Sequence, residues 1–404
     1  MHPSFLPQWP PGVNDFLLFG MMLLIGLIGG ELARRTSFLP RISGFVISGL
    51  LLGPSVLGLI DAQMLANARI FTDIALGIIL FQLGMQFDLN VIRNDKSLIY
   101  AGIAESLLSF LMIDLVLTAF GIGRLHAAMA AAIGVSSSPA VVLLVIREFN
   151  AEGPVSRRAL VHVAINNMLA FSFFTILLPF LHYRQQAGWM TILIQPVYQA
   201  GASLLIAFIM MHVCIRMARL LGRNEALQFA LFVGAIILAI GLSKTANCSS
   251  LLTLLAFGAM SRNLDTDNSL MDIEFGHGGE IFFVLLFVIA GANLHLHELT
   301  SFIWAAFAFV GVRFAGKMTG IIALSAFSPI TLRQSALLGL TLVPMAGLAI
   351  GLTESTAKLY PDFSRELNTI VLSAVAILET IGPILTEFAL KRAGEIDPDK
   401  QLNH

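Results

Sequence analysis

The chain has 404 residues, of which 57% are hydrophobic and 12% charged, with a formal net charge of -1 and a mean hydropathy of +0.84. Soluble domains carry about a quarter charged residues, so this composition excludes a water-soluble fold and implies an all-α polytopic membrane protein. The balanced charge offers no footprint for nucleic acid. Cys214 and Cys248 lie in or beside apolar runs and are read as free thiols rather than a disulfide framework.

Apolar segments of spanning length fall near 16–33, 41–60, 70–87, 98–121, 126–146, 158–182, 190–213, 226–243, 247–261, 280–294, 300–326, 332–353 and 366–390. These are about 13 transmembrane helices, since lipid offers no partner for open backbone groups. They read as one membrane domain over 1–404. The stretch before the first span holds no Lys or Arg, so no cleavable signal peptide is expected.

Thirteen spans put the termini on opposite sides, and the basic residues orient them. One set of connections holds Arg34, Arg35, Arg41, Arg93, Lys96, Arg147, Arg157, Arg158, Arg216, Arg219, Arg223, Arg262, Arg333, Lys391, Arg392 and Lys400. The other holds Arg69, Arg124, Arg184, Lys244, Lys358 and Arg365. The 16 against 6 place the N-terminus outside and the C-terminus in the cytoplasm, in a cell (inner) membrane.

Polar groups at membrane depth cost at least about 2.5–3.5 kcal/mol when charged, so each is a candidate site. The fourth span carries Glu105 and Asp114. The fifth, "AAIGVSSSPAVVLL", places Ser136, Ser137, Ser138 and Pro139 mid-span, where proline removes a helical hydrogen bond. The sixth, "VAINNMLAF", carries Asn166 and Asn167, with His162 one turn earlier on the same face as a candidate proton carrier. Arg313 and Lys317 share a face of the eleventh span. Pro344 and Gly347 interrupt the twelfth, and Glu379 precedes a Gly382–Pro383 bend in the last. The breaks fall in spans 5 and 12, each followed by one further span, as an inverted repeat with two discontinuous helices would give. Each ionisable group is also readable as a structural anchor paired across helices.

Several stretches resemble the monovalent cation:proton antiporter-2 family, which includes the Kef-type potassium efflux systems. They are "LPRISGFVISGLLLGPSVLGLI" (39–60), "ILFQLGMQFDLNVI" (79–92), "GVSSSPAVVLLVIRE", "FFVLLFVIAGANLHL" and "GKMTGI" (316–321). The last is similar to a lysine-bearing segment of sodium/proton antiporters. The resemblance spans nearly the whole chain. It implies a core ion-translocation bundle including about 70–182 and 280–390, and a dimerisation bundle including about 16–60 and 190–243. It also implies an elevator-like alternating access and a homodimer. In that family the sixth span carries a pair ending in aspartate, whose carboxylate binds either the cation or a proton. Here the aligned pair is Asn166–Asn167, so the titratable group is missing. Lys317, whose counterpart pairs with that aspartate in relatives, must lose its proton, hold an anion, or find another carboxylate such as Glu379 or Glu105. The polar tail "KRAGEIDPDKQLNH" holds no dinucleotide fingerprint, so no C-terminal nucleotide-binding domain is expected.

The expected function is therefore exchange of Na+ or K+ for protons, with Asn166, Asn167, Ser136, Ser137, Ser138, Lys317 and Arg313 as the ion path. The proton site is displaced to Glu379, Glu105 or His162, or the exchange is inactive or trapped at Asn167. Two other readings compete: a proton-uncoupled cation pathway, and a scaffold or sensor that keeps the fold without the chemistry. No cofactor and no enzymatic activity are expected, since no nucleophile–base constellation, metal-ligand cluster or phosphate loop is present.

Overall fold

The computed structural model describes residues 14–36, 39–60, 62–85, 87, 89–184, 188–265, 269–270, 276–293 and 303–396. The helices, in chain order, are α1 (Asp15–Arg35), α2 (Arg41–Leu52), α3 (Ala62–Met85), α4 (Leu89–Asn94), α5 (Ser97–Ala119), α6 (Arg124–Gly134), α7 (Pro139–Glu148) and α8 (Pro154–Arg184). They continue with α9 (Trp189–Leu221), α10 (Glu225–Thr245), α11 (Ser250–Leu264), α12 (Gly276–Ala292), α13 (Ile303–Ala323), α14 (Leu332–Thr341), α15 (Gly347–Leu359) and α16 (Pro361–Ala393). Among the described residues nine stretches are long and apolar enough to cross a bilayer alone, the broken Arg124–Glu148 stretch counted as one. The shorter apolar helices are Arg41–Leu52 and Ile281–Ala292. Lys400, and the side chains of Lys358 and Arg365, lie outside what is described.

Both expected breaks are present. The chain leaves helix between α6 and α7 and again between α14 and α15. Ser138 caps α7 by accepting from the Val141 N–H at 3.4 Å, with Pro139 as the first helical residue. Proline suits that place because the N–H it lacks would have no intrahelical partner. Thr331 and Gln334 close a capping box at the start of α14.

One expected detail differs. The 41–60 segment is not one helix: α2 stops at Leu52, and the Leu59 and Ile60 N–H groups both return to the Leu52 carbonyl at 3.1 Å. Pro54 disfavours helical geometry at Gly53, which is extended at φ -69, ψ 174. The Gly382–Pro383 pair lies inside α16, which continues through it. Pro383 only removes the N–H that would have bonded the Glu379 carbonyl.

The buried apolar side chains form two large clusters. One gathers α1–α3, α7 and α9–α12, including Phe81, Phe232 and Phe257. The other surrounds the two breaks, with Ile133, Phe174, Phe309, Met345 and Leu378 drawn from α6, α8, α13, the second break and α16. Within this second group α5 and α13 lie in unusually close contact. A Cβ added at Gly320 would stand 2.2 Å from the Glu105 Cα, and one at Gly316 would stand 2.7 Å from the Ser109 Cα. Small residues four apart allow such approach in membranes. It sets the position of Lys317, one residue beyond Gly316.

Candidate functional site

The unwound stretches after α6 and after α14 cross each other at the centre of the second cluster. The Ser138 N–H donates to the Pro344 carbonyl at 2.8 Å, and the Ser137 hydroxyl donates to the Leu342 carbonyl at 2.9 Å. Each stretch thus supplies a partner for the other's open backbone, which hydrocarbon could not. Four helix ends meet there, and those of α6 and α14 present carbonyls and a partial negative charge.

Arg313 answers those carbonyls. Its guanidinium donates to Gly134 at 2.7 Å, Ser136 at 2.6 Å, Val343 at 2.5 Å and Leu342 at 3.4 Å. One side chain therefore neutralises the C-terminal ends of both broken helices. Four residues on, the Lys317 ammonium donates to the Val135 carbonyl at 2.9 Å and to Glu105 Oε2 at 3.1 Å. Both cations are fully buried. Glu105 is the partner for Lys317. Glu379 lies elsewhere, and Asp114 sits nine residues further along α5, facing Arg124.

Both asparagines of "VAINNMLAF" reach the crossing. Asn166 donates from Nδ2 to the Ser137 hydroxyl at 3.1 Å and accepts from the Ser106 hydroxyl at 3.2 Å. Asn167 accepts from the Ser137 N–H at 3.2 Å, and its Nδ2 has no hydrogen-bond partner among the described residues. The amides thus organise the first break: a carboxamide matches a backbone N–H and a hydroxyl without bringing charge. Ser136 turns its hydroxyl back to the Ile133 carbonyl at 2.7 Å. His162 is fully buried one turn before Asn166. Its Nδ1 lies 4.0 Å from Glu105 Oε1, and neither atom has a hydrogen-bond partner among the described residues.

A cavity of about 1190 Å³ opens on the face bearing Arg69 and Lys244 and runs inward to Ala140 and Ala346, beside the two breaks. Phe171 and Phe174 of α8 line one wall, and Asn368, Ser373 and Glu379 of α16 line another. Asp73 is paired to Lys244 on the same wall system. Glu379 therefore belongs to the cavity rather than to the Lys317 cluster.

Sequence reasoning missed the serines of α5. The Ser106 hydroxyl holds Asn166, and the Ser109 hydroxyl donates to the Arg313 carbonyl at 3.2 Å. Their signal was present as "ESLLS", polar residues at one-turn spacing on one helix face. It also missed Glu395. That carboxylate accepts from the Val155 and Ser156 N–H groups at 2.6 and 2.8 Å, capping the start of α8. Gly394, left-handed at φ 73, turns the chain so that it can.

Comparison with proteins of known structure finds the same architecture. The sodium proton antiporter MjNhaP1 from Methanocaldococcus jannaschii, solved at pH 8, is 16% identical, with TM-score 0.69 over 94% of this chain and 97% of that one. An electron-microscopy structure of MjNhaP1 gives TM-score 0.70 at 16% identity, over 94% and 98%. A comparison with curated proteins found no significant match. The profile of the family described as sodium/hydrogen exchanger, transmembrane, matches residues 20–392. A multi-pass chain with two crossed half-helices, a guanidinium on their carbonyl ends and a family match over most of its length belongs to the transmembrane sodium/hydrogen exchanger family.

Proposed function

We propose that this protein exchanges a monovalent cation, Na+ or K+, for protons across a cell (inner) membrane by alternating access at the helix crossing. The observation that carries the reading is the crossing itself. Two interrupted helices meet at a cluster whose buried cations, Arg313 and Lys317, are held by carbonyls and by Glu105. A cavity from the face bearing Arg69 and Lys244 runs in beside the two breaks, as far as Ala140 and Ala346. Family membership supports cation/proton exchange, and MjNhaP1, described as a sodium proton antiporter, shares the fold. K+ stays beside Na+ because of the Kef-like second-span segment.

The protein crosses the bilayer thirteen times, with α2, α11, α12 and the α14–α15 pair added to the longer spans. The N-terminus lies outside and the C-terminus in the cytoplasm, so the cavity opens outward. A core bundle including about 70–182 and 280–390 moves against a dimerisation bundle including about 16–60 and 190–243, in a homodimer. The ion path runs through Ser136–Ser138, Asn166, Asn167 and Lys317, with Arg313 holding the crossing together. Proteoliposomes carrying an imposed pH gradient and a luminal pH dye test this. Na+ or K+ pulses should change the luminal pH. A chain that has lost exchange at Asn167 gives no response to either ion.

A further inference from the structure

We infer that Glu105 carries the exchanged proton, with His162 as its positioning residue and Lys317 as the counter-charge it releases. The inference rests on the exchange reading above and names the group that performs it.

Among the described residues, Glu105 is the carboxylate in contact with the crossing, and its two oxygens differ. Oε2 is engaged by Lys317 at 3.1 Å, while Oε1 is buried without a hydrogen-bond partner. His162 Nδ1 lies 4.0 Å from Oε1, and both nitrogens of that imidazole are also unpartnered. A lone buried polar atom costs free energy, and three of them on two fully buried neighbouring side chains call for an occupant. A proton fits. On Oε1 it forms an O–H bond that can donate to neutral His162 Nδ1 once the side chains close the gap.

The surroundings make that proton consequential. The groups facing Glu105 are Lys317 and Arg313 from α13 and Asn166, His162 and, further along, Arg158 from α8, the last paired to Asp95. From α6 comes the Val135 carbonyl, shared through Lys317. A proton taken from bulk water neutralises the carboxylate, so Lys317 loses its counter-ion and keeps only Val135. When the proton leaves to water, the carboxylate is restored to hold Lys317 or an incoming cation. The two occupancies exclude each other, which is what exchange requires. Asn167 cannot substitute, since its oxygen is taken by the Ser137 N–H and its free atom is a donor.

The test is cation-driven proton flux in proteoliposomes containing the full chain. Wild type should exchange, and Glu105→Gln should lose the flux by about tenfold or more while staying monodisperse. Glu105→Gln with Asn167→Asp should recover it, because a carboxylate returns to the same cluster from α8. His162→Gln should keep a measurable maximal rate but move the pH of half-maximal flux, which a packing role would not do. If Glu105→Gln does not fold, Glu105→Gln with Lys317→Met removes the uncompensated cation and serves in its place. Flux at the wild-type level in folded Glu105→Gln, or in folded Glu105→Gln with Lys317→Met, overturns the assignment and leaves the exchanger reading standing. A silent wild type overturns both.

Discussion

Gly320→Ala is the sharpest perturbation of the contact that builds the site. The added Cβ would start 2.2 Å from the Glu105 Cα. Ordinary van der Waals contact begins at 3.4 Å. The difference means that α5 and α13 must separate locally by about 1.2 Å, because the obstacle is backbone rather than a side-chain tip. Added to the 3.1 Å between Lys317 and Glu105, that separation carries the pair to about 4.3 Å, beyond direct contact. Overpacking alone costs about 1–3 kcal/mol. A buried ion pair that opens without water adds to this, up to the about 3–5 kcal/mol seen when one partner is removed. Gly311→Ala on the same helix is the control. Nothing lies within 4 Å of a Cβ there, so the substitution should be neutral or gain about 0.5–1 kcal/mol from helix propensity. Unfolding midpoints in mixed detergent micelles would separate the two variants. A Gly320→Ala protein as stable as Gly311→Ala would refute the claim that backbone contact positions Lys317.

Other outcomes follow from the same geometry. Arg313→Met strips the Gly134, Ser136 and Val343 carbonyls of their donor at about 1–3 kcal/mol each, so little folded protein should survive detergent extraction; normal yield and melting would contradict its role as the common cap. Glu395→Ala should lower stability by about 1–2 kcal/mol, measured in the same micelle titration, because two N–H groups of α8 lose their acceptor; an unchanged midpoint would show that the cap is idle.

Much of this was readable along the chain, and the reasons are physical. Lipid demands long apolar runs, so the long spans declare themselves, and Pro139 and Pro344 mark where helices must open. Arg313 and Lys317 stood out because charge at that depth needs a partner. What the sequence left open was which partner. Glu105, Asp114 and Glu379 look alike as letters, and the choice depends on Gly316 and Gly320 bringing α13 against α5 across 212 positions. The asparagine pair was legible as polar groups at membrane depth but not as a scaffold. Its hydrogen bonds run to Ser106 and Ser137, and the first of these drew no attention because a lone serine is tolerated in any membrane helix. Glu395 was hidden for a different reason: it sits in a polar tail whose capping role appears only when α16 has docked beside α8.

That late cap has a counterpart deeper in the molecule, and together they bear on how the chain is made. Gly134 waits 179 positions for the guanidinium that satisfies it, and Val155 waits 240 for its carboxylate. During vectorial synthesis the first interrupted helix is therefore made before the guanidinium that caps its carbonyls, and α8 before the carboxylate that caps its first turn. The amino-terminal half completes these contacts only with the second half. Assembly of this transporter is then closer to the zipping of two half-finished pieces than to the sequential stacking of finished helices.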